Sequence, residues 1–217
     1  MAIDLQRTLE RNDKYLQQVV EGYNLCPFAR QCRLSDKLHR EVIASQDIAA
    51  ALLARLLQLQ QTDDTSFEVA LVIVPGFAGS THQFETLLRQ VEAQIVAYLA
   101  GMGQRQACFA VAFHPQMPFE TGQPHQIVGL LRRSPDPTVQ LVRRSLLEQV
   151  RGNDSAPQYL DTQPHATAES LLAAAAALVI RPTLSERIAA ANFQTWHRTG
   201  QALAAATAEI AADRDAD

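Results

Sequence analysis

Residues 67–74 read FEVALVIV, apolar at every position but one, and the run stops at Pro75-Gly76. An unbroken apolar run of that length, rich in β-branched residues, belongs to a strand covered on both faces. Covering two faces takes helices, and the flanking sequence supplies them. Before the run, Ile48, Leu52, Leu56 and Leu59 recur at helical spacing behind Ser45, a residue type suited to capping. After it, from about Thr81, Phe84, Leu88, Val91, Ile95 and Leu99 form a single stripe that Gly101 and Gly103 close. Residues 41–44 and 107–113 (ACFAVAF) read as two more strands. Strand, helix, strand, helix, strand favours an α/β fold with a three-strand parallel βαβαβ core and right-handed crossovers. The alternative is an α+β sheet in which residues 127–131 add an antiparallel edge strand.

On either side of this core the sequence predicts further helices. Leu5, Leu9, Leu16 and Val20 mark a first helix that Gly22 ends. Pro27 suits the first turn of a short second helix with Cys26 at its N-cap, and residues 35–40 read as loop. Residues 114–137, rich in Pro, Gly and Gln, form a loop long enough to suggest function. Asp136 and Pro137 are then expected to cap and open a helix bearing Val139, Val142, Leu146 and Val150. We expect residues 1–152 to form the α/β core domain and residues 153–217 a helical C-terminal extension. In that extension residues 153–165 read as a linker, and Ala-rich helices follow that cap the domain or mediate homo-oligomerisation.

Charge and composition narrow the function classes. The net charge of −4 argues against nucleic acid as a partner, which normally requires a basic domain or stripe. Arg132, Arg133, Arg143 and Arg144 form the one dense basic cluster, with the last two expected on a helix surface. Three cysteines, Cys26, Cys32 and Cys108, are too few and too irregular for a disulfide framework. The start of the chain has no apolar leader, and residues 171–180, the longest strongly apolar stretch, are shorter than the roughly 20 residues a bilayer requires. A soluble cytoplasmic protein with no membrane partner is expected.

If the strands are parallel, their ends at Ala44, Val74 and Phe113 share one sheet edge, where open α/β sheets bind ligands. His114 directly follows the third strand and can act as general base, or end the strand with its ring hydrogen-bonded locally. At a helix N-terminus the dipole would favour the Cys26 thiolate, and a nearby histidine would complete a nucleophilic pair. A buried packing role is the competing reading of Cys26. Cys32 lies on another helix face, and Cys108 sits in a strand as packing. In Arg132-Arg133-Ser134 the guanidinium forks suit carboxylate or phosphate, and the serine can add a hydroxyl. Gly76, Gly79, Ser80 and Thr81 lack a following GKS or GKT, so a capped tight turn fits better than a phosphate loop. The histidines show no metal-ligand spacing, so no metal site is expected, and nothing in the sequence names a cofactor.

Three separated segments carry a family resemblance: Asn24-Leu25-Cys26-Pro27-Phe28-Ala29, Phe113-His114-Pro115, and Arg133-Ser134-Pro135-x-Pro137 followed by Leu141-x-Arg143-x-Ser145. In this order and spacing they resemble domain-of-unknown-function family 1415 over residues 12–152. The resemblance implies no activity, but it singles out Arg133 over Arg132. Between the His-Pro and Arg-Ser-Pro segments the chain keeps Phe119 and lacks the family's Asp/Asn group. Three functions fit these residues. One is a hydrolase or transferase acting on a small anionic substrate, with Cys26 as nucleophile, His114 as base and Arg133 as anion clamp. The others are a non-catalytic ligand-binding or regulatory module using the same pocket, and an interaction adaptor built on the C-terminal helices.

Overall fold

The computed structural model describes residues 3–151 and 183–215. Asp4 accepts the Arg7 N–H at 3.0 Å and so caps α1, Leu5–Lys14. The helix runs on without a break into π-helical turns over Tyr15–Glu21. There the bonds span five residues, from Gly22 N–H to the Gln17 carbonyl and from Leu25 N–H to the Val20 carbonyl. The buried face of this helix is Thr8, Arg11, Asn12, Tyr15 and Val19, whereas Leu5 of the expected apolar stripe is 48% exposed. The face is selected by its partner: Arg11 and Tyr15 hydrogen-bond a polar loop, and that satisfaction outweighs the apolar area of Leu5.

A turn containing Cys26 leads into α2, Ala29–Leu34, whose N-cap is Phe28. The helix therefore opens two residues beyond Pro27, and Cys26 only accepts the Ala29 N–H through its carbonyl, at 3.3 Å. Then come β1, Leu38–Val42, and α3, Ile48–Gln61, which Asp47 rather than Ser45 caps by accepting the Ala50 N–H. Next are β2, Val69–Ile73, and α4, Thr81–Gly101, which opens on a capping box of Ser80 and Gln83. β3 spans Cys108–Phe113. A 3₁₀ turn at Pro124–Ile127 and α5, Val128–Leu131, occupy part of the expected long loop. β4 is Thr138–Arg143, α6 is Arg144–Arg151, and α7 is Leu184–Asp215. The expected linker over 153–165 and the first Ala-rich stretch lie outside the described residues.

The fold is α/β with one mixed four-stranded sheet, order β1-β2-β4-β3. β1 pairs with β2 parallel, and β4 pairs antiparallel with both β2 and β3. The first three strands do point the same way, but β4 is inserted between the second and third, so they do not form a continuous parallel core. Nor do residues 127–131 form a strand; Ile127 ends the 3₁₀ turn and the rest is α5. The expected helix behind Pro137 is the inserted strand. Val139 and Leu141 are fully buried, whereas Gln140 and Val142 are half-buried, a period of two. Val139, Val142 and Leu146 had helical spacing only because they straddle the junction of β4 and α6.

α3 and α4 cover one face of the sheet, with Leu52, Leu56, Phe84, Leu88, Val91 and Ile95 packed on Ala70, Val72, Val139 and Leu141. A second cluster joins Tyr15, Val19, Leu25, Ile127 and Leu130 to Leu203 and Ile210 of α7. The end of α7 is clipped to α1: the Asp213 carbonyl accepts from Arg7 at 3.2 Å and Arg11 at 3.4 Å, and its carboxylate pairs with Lys14 at 3.0 Å. Cations at a helix C-terminus meet both its unpaired carbonyls and its dipole. No helix among the described residues is long and apolar enough to cross a membrane.

Candidate functional site

The strand register brings the sequence motifs to one edge. Val42 pairs with Ile73, and Thr138 pairs with both Ile73 and Phe113. The ends of β1, β2 and β3 and the start of β4 therefore lie together, with His114 and the Arg132–Pro137 segment emerging side by side. The His114 N–H donates to the Arg132 carbonyl at 2.9 Å, which fastens the two motifs.

His114 is 3% exposed, and both ring nitrogens are engaged. Nε2 lies 3.1 Å from the Gly79 carbonyl, an acceptor only, so it carries the proton. Nδ1 then accepts from Gln116 N–H at 3.1 Å and from the Thr81 hydroxyl at 3.0 Å. Burial holds this imidazole below the usual histidine range, and the Arg214 charge adds to that against the pull of the Gly79 carbonyl. The ring joins the β3 end to the start of α4, where Ser80 and Gln83 accept each other's backbone N–H through their side chains.

Beneath α1 lies a buried polar layer. Asp136, 1% exposed, receives Arg11 in a two-pronged pair, Nε to Oδ2 at 2.9 Å and Nη2 to Oδ1 at 3.0 Å. Arg214 Nε stands 3.8 Å from the same carboxylate. The Ser134 hydroxyl donates to the Asp136 carbonyl, and so does that of Thr138 at 2.9 Å. Tyr15 donates its hydroxyl to the Arg133 carbonyl. Asn12, 3% exposed, has its Oδ1 without a hydrogen-bond partner among the described residues. A groove of about 370 Å³ between α1 and α7 reaches Arg11 from outside, lined also by Arg7, Lys14 and Asp213.

Arg133 differs from Arg11 and Arg214, the arginines that face Asp136. Its Nε donates to the Met117 carbonyl at 2.8 Å, and its guanidinium carbon stands 4.5 Å above the centre of the Phe119 ring. No carboxylate pairs with it among the described residues, and its two Nη groups make no hydrogen bond there. Burial pulls its pKa below the usual arginine value. The side chain of Arg132, half-buried, likewise has no partner among the described residues. Arg143, expected on a helix surface, is instead 1% exposed on β4. It donates to the carbonyls of Phe67, Thr62 and Asp63, which ties the loop before β2 to the sheet. Arg144 lies over the Phe109 ring, 4.6 Å from its centre.

Cys26 is exposed and free, and its thiol makes no hydrogen bond to a described residue. Next to it, the Leu25 carbonyl accepts from Asn192 of α7 at 3.0 Å. Cys32 and Cys108 are buried; burial, helped by the charge of Glu68, pushes the Cys32 thiol up to about 11. The structure thus joins His114, Arg132, Arg133 and Ser134 directly, and links Leu25, the neighbour of Cys26, to them only through the second apolar cluster. Among the described residues no group of His, Cys, Asp and Glu side chains is placed to hold a metal ion.

Sequence reasoning did not find Arg11, Asn12, Tyr15, Asp136 or Arg214. The first three carried a signal in the spacing Thr8, Arg11, Asn12, Tyr15, a polar stripe of helical period. Asp136 resembled a helix cap, and Arg214 lies far along the chain from anything it approaches. No curated protein and no solved structure matches this chain. The family model described as protein of unknown function, DUF1415, matches residues 7–177, and the chain belongs to that family.

Proposed function

We propose that this chain binds a small anionic ligand at the carboxyl edge of its sheet, with Arg133 as the clamp and Arg132 as a second cation. One observation carries the reading. Arg133 is oriented through Nε and Phe119, yet its two Nη donors have no hydrogen-bond partner and its charge no carboxylate among the described residues. A partly desolvated guanidinium held in place but not neutralised is a prepared fork for carboxylate or phosphate. Ser134 serves by fixing the loop, since its hydroxyl is already bonded to Asp136.

The non-catalytic version is favoured over the enzyme because His114 has no ring nitrogen left for a substrate or for Cys26. The exposed, free thiol of Cys26 supports the hydrolase or transferase reading as the second. Free thiols at all three cysteines fit a cytoplasmic location. Self-association through α7 is a further proposal that light scattering would test.

Calorimetric titration with acetate and with inorganic phosphate tests the clamp. At least one of the two should bind the wild type saturably and lose its affinity at least tenfold in Arg133→Ala. Arg133→Lys should recover only part, since an ammonium cannot offer two parallel donors. Equal binding by wild type and Arg133→Ala contradicts the proposal.

A further inference from the structure

We propose that the ligand held by Arg133 carries an aromatic or other flat apolar body next to its anionic group. The inference rests on the anion-binding reading and specifies its substrate class.

The surroundings of Arg133 are aromatic rather than acidic. Phe119 lies under its guanidinium, and Trp196 of α7 meets Phe119 edge-on with ring centres 5.1 Å apart. Tyr23 and Phe193 also pack against the second apolar cluster, and all four rings remain only half-buried. Only 6% of the chain is aromatic, so the partly open Phe119–Trp196 pair beneath one guanidinium is a concentrated feature. Ligand sites are commonly built this way, from an apolar, aromatic lining with a few placed polar groups.

A second observation is independent of the arginine. The indole N–H of Trp196 has no hydrogen-bond partner among the described residues, although it stands at the edge of a packed cluster. The fork offers donors to an anion, and the Phe119 and Trp196 rings offer apolar surface to a flat body next to it. An inorganic ion would use the first and leave the second empty. A short aliphatic acid would gain little from ring packing, which an aromatic acid gains in addition to its buried area.

Phenylacetate, acetate and inorganic phosphate separate these ligand types. Binding to the full chain is followed by calorimetry and by the emission of Trp196, the only tryptophan. Phenylacetate is expected to bind roughly tenfold or more tightly than acetate, about the worth of one good aromatic contact, and to shift the Trp196 emission saturably. Phe119→Leu, which keeps the cluster filled, should lower phenylacetate affinity more than acetate affinity and so erase most of that preference. Thermal melts of each variant show that it is folded. If acetate or phosphate binds as tightly as phenylacetate and all depend on Arg133, the aromatic inference is overturned and the anion clamp stands. If phenylacetate binding does not depend on Arg133, the aromatic inference is overturned, and if acetate and phosphate binding do not depend on it either, so is the anion clamp.

Discussion

Residue by residue, the sheet edge distinguishes groups that hold the protein together from groups held ready. Arg11 and Asp136 belong to the first kind, a nearly fully buried pair with both prongs made. Asp136→Asn removes the buried carboxylate that both prongs of Arg11 meet, so it should cost about 3–5 kcal/mol in urea denaturation. Arg214→Ala, which removes a longer and part-exposed contact to the same carboxylate, should cost less than about 1 kcal/mol. Equal costs would mean that Arg11 does not carry the pairing. His114 supplies a pH dependence. Its folded pKa lies below its unfolded value of about 6.5, so between the two values the unfolded chain binds more protons. Its contribution is therefore complete above about pH 6.5 and is lost as pH falls toward the folded pKa. Thermal melts from pH 7.5 to 5 should show the midpoint falling, with a shallower fall in His114→Gln. The same slope in both proteins would remove His114 as its source.

At the scale of elements, Gln60 closes the outer side of β3: its Oε1 accepts the Cys108 N–H at 2.8 Å, and its Nε2 donates to the Cys108 carbonyl at 3.3 Å. Gln60→Ala strands two buried backbone groups and should cost about 1–3 kcal/mol each at most. A cost below about 0.5 kcal/mol, the range of ordinary surface changes, would mean that water replaces the side chain there. Most elements were legible because one-sided burial writes a period into the sequence. The α4 stripe of Phe84, Leu88, Val91, Ile95 and Leu99 is buried as its spacing demands. β4 was not legible, since its six residues are followed at once by a helix and preceded by Asp-Pro, the mark of a helix start. The α1 face was misread because the rule that apolar residues turn inward fails where a helix covers a polar loop. The expected direction of the strands put His114 at a sheet edge, and there its N–H donates to the Arg132 carbonyl. Nothing local to Arg133 separates it from Arg143 and Arg144, because the carbonyls of Thr62, Asp63 and Phe67 and the Gln106 and Phe109 side chains that engage those two come from distant segments.

Across the whole molecule, the sheet core contains no residue of α7, whereas the second cluster depends on Leu203 and Ile210. Truncation after Arg151 is therefore expected to leave a cooperative thermal transition at a lower midpoint, with Tyr15, Val19 and Leu25 newly exposed and solubility reduced. Absence of any cooperative transition by circular dichroism would mean that the two clusters fold as one unit. Because α7 also brings Trp196 to Phe119, the truncated chain should retain the Arg133 fork but lose any preference for an aromatic acid. The central claim is that Arg133 is a cation oriented for an anion and without a carboxylate partner among the described residues, and NMR of the arginine Nε–H groups during an acetate and a phosphate titration tests it most directly. Arg143, walled in by three backbone carbonyls, serves as the internal control. The account predicts that the Arg133 resonance shifts saturably with at least one anion while that of Arg143 stays fixed. An Arg133 resonance that does not move, or that moves only in step with every exposed arginine, contradicts it.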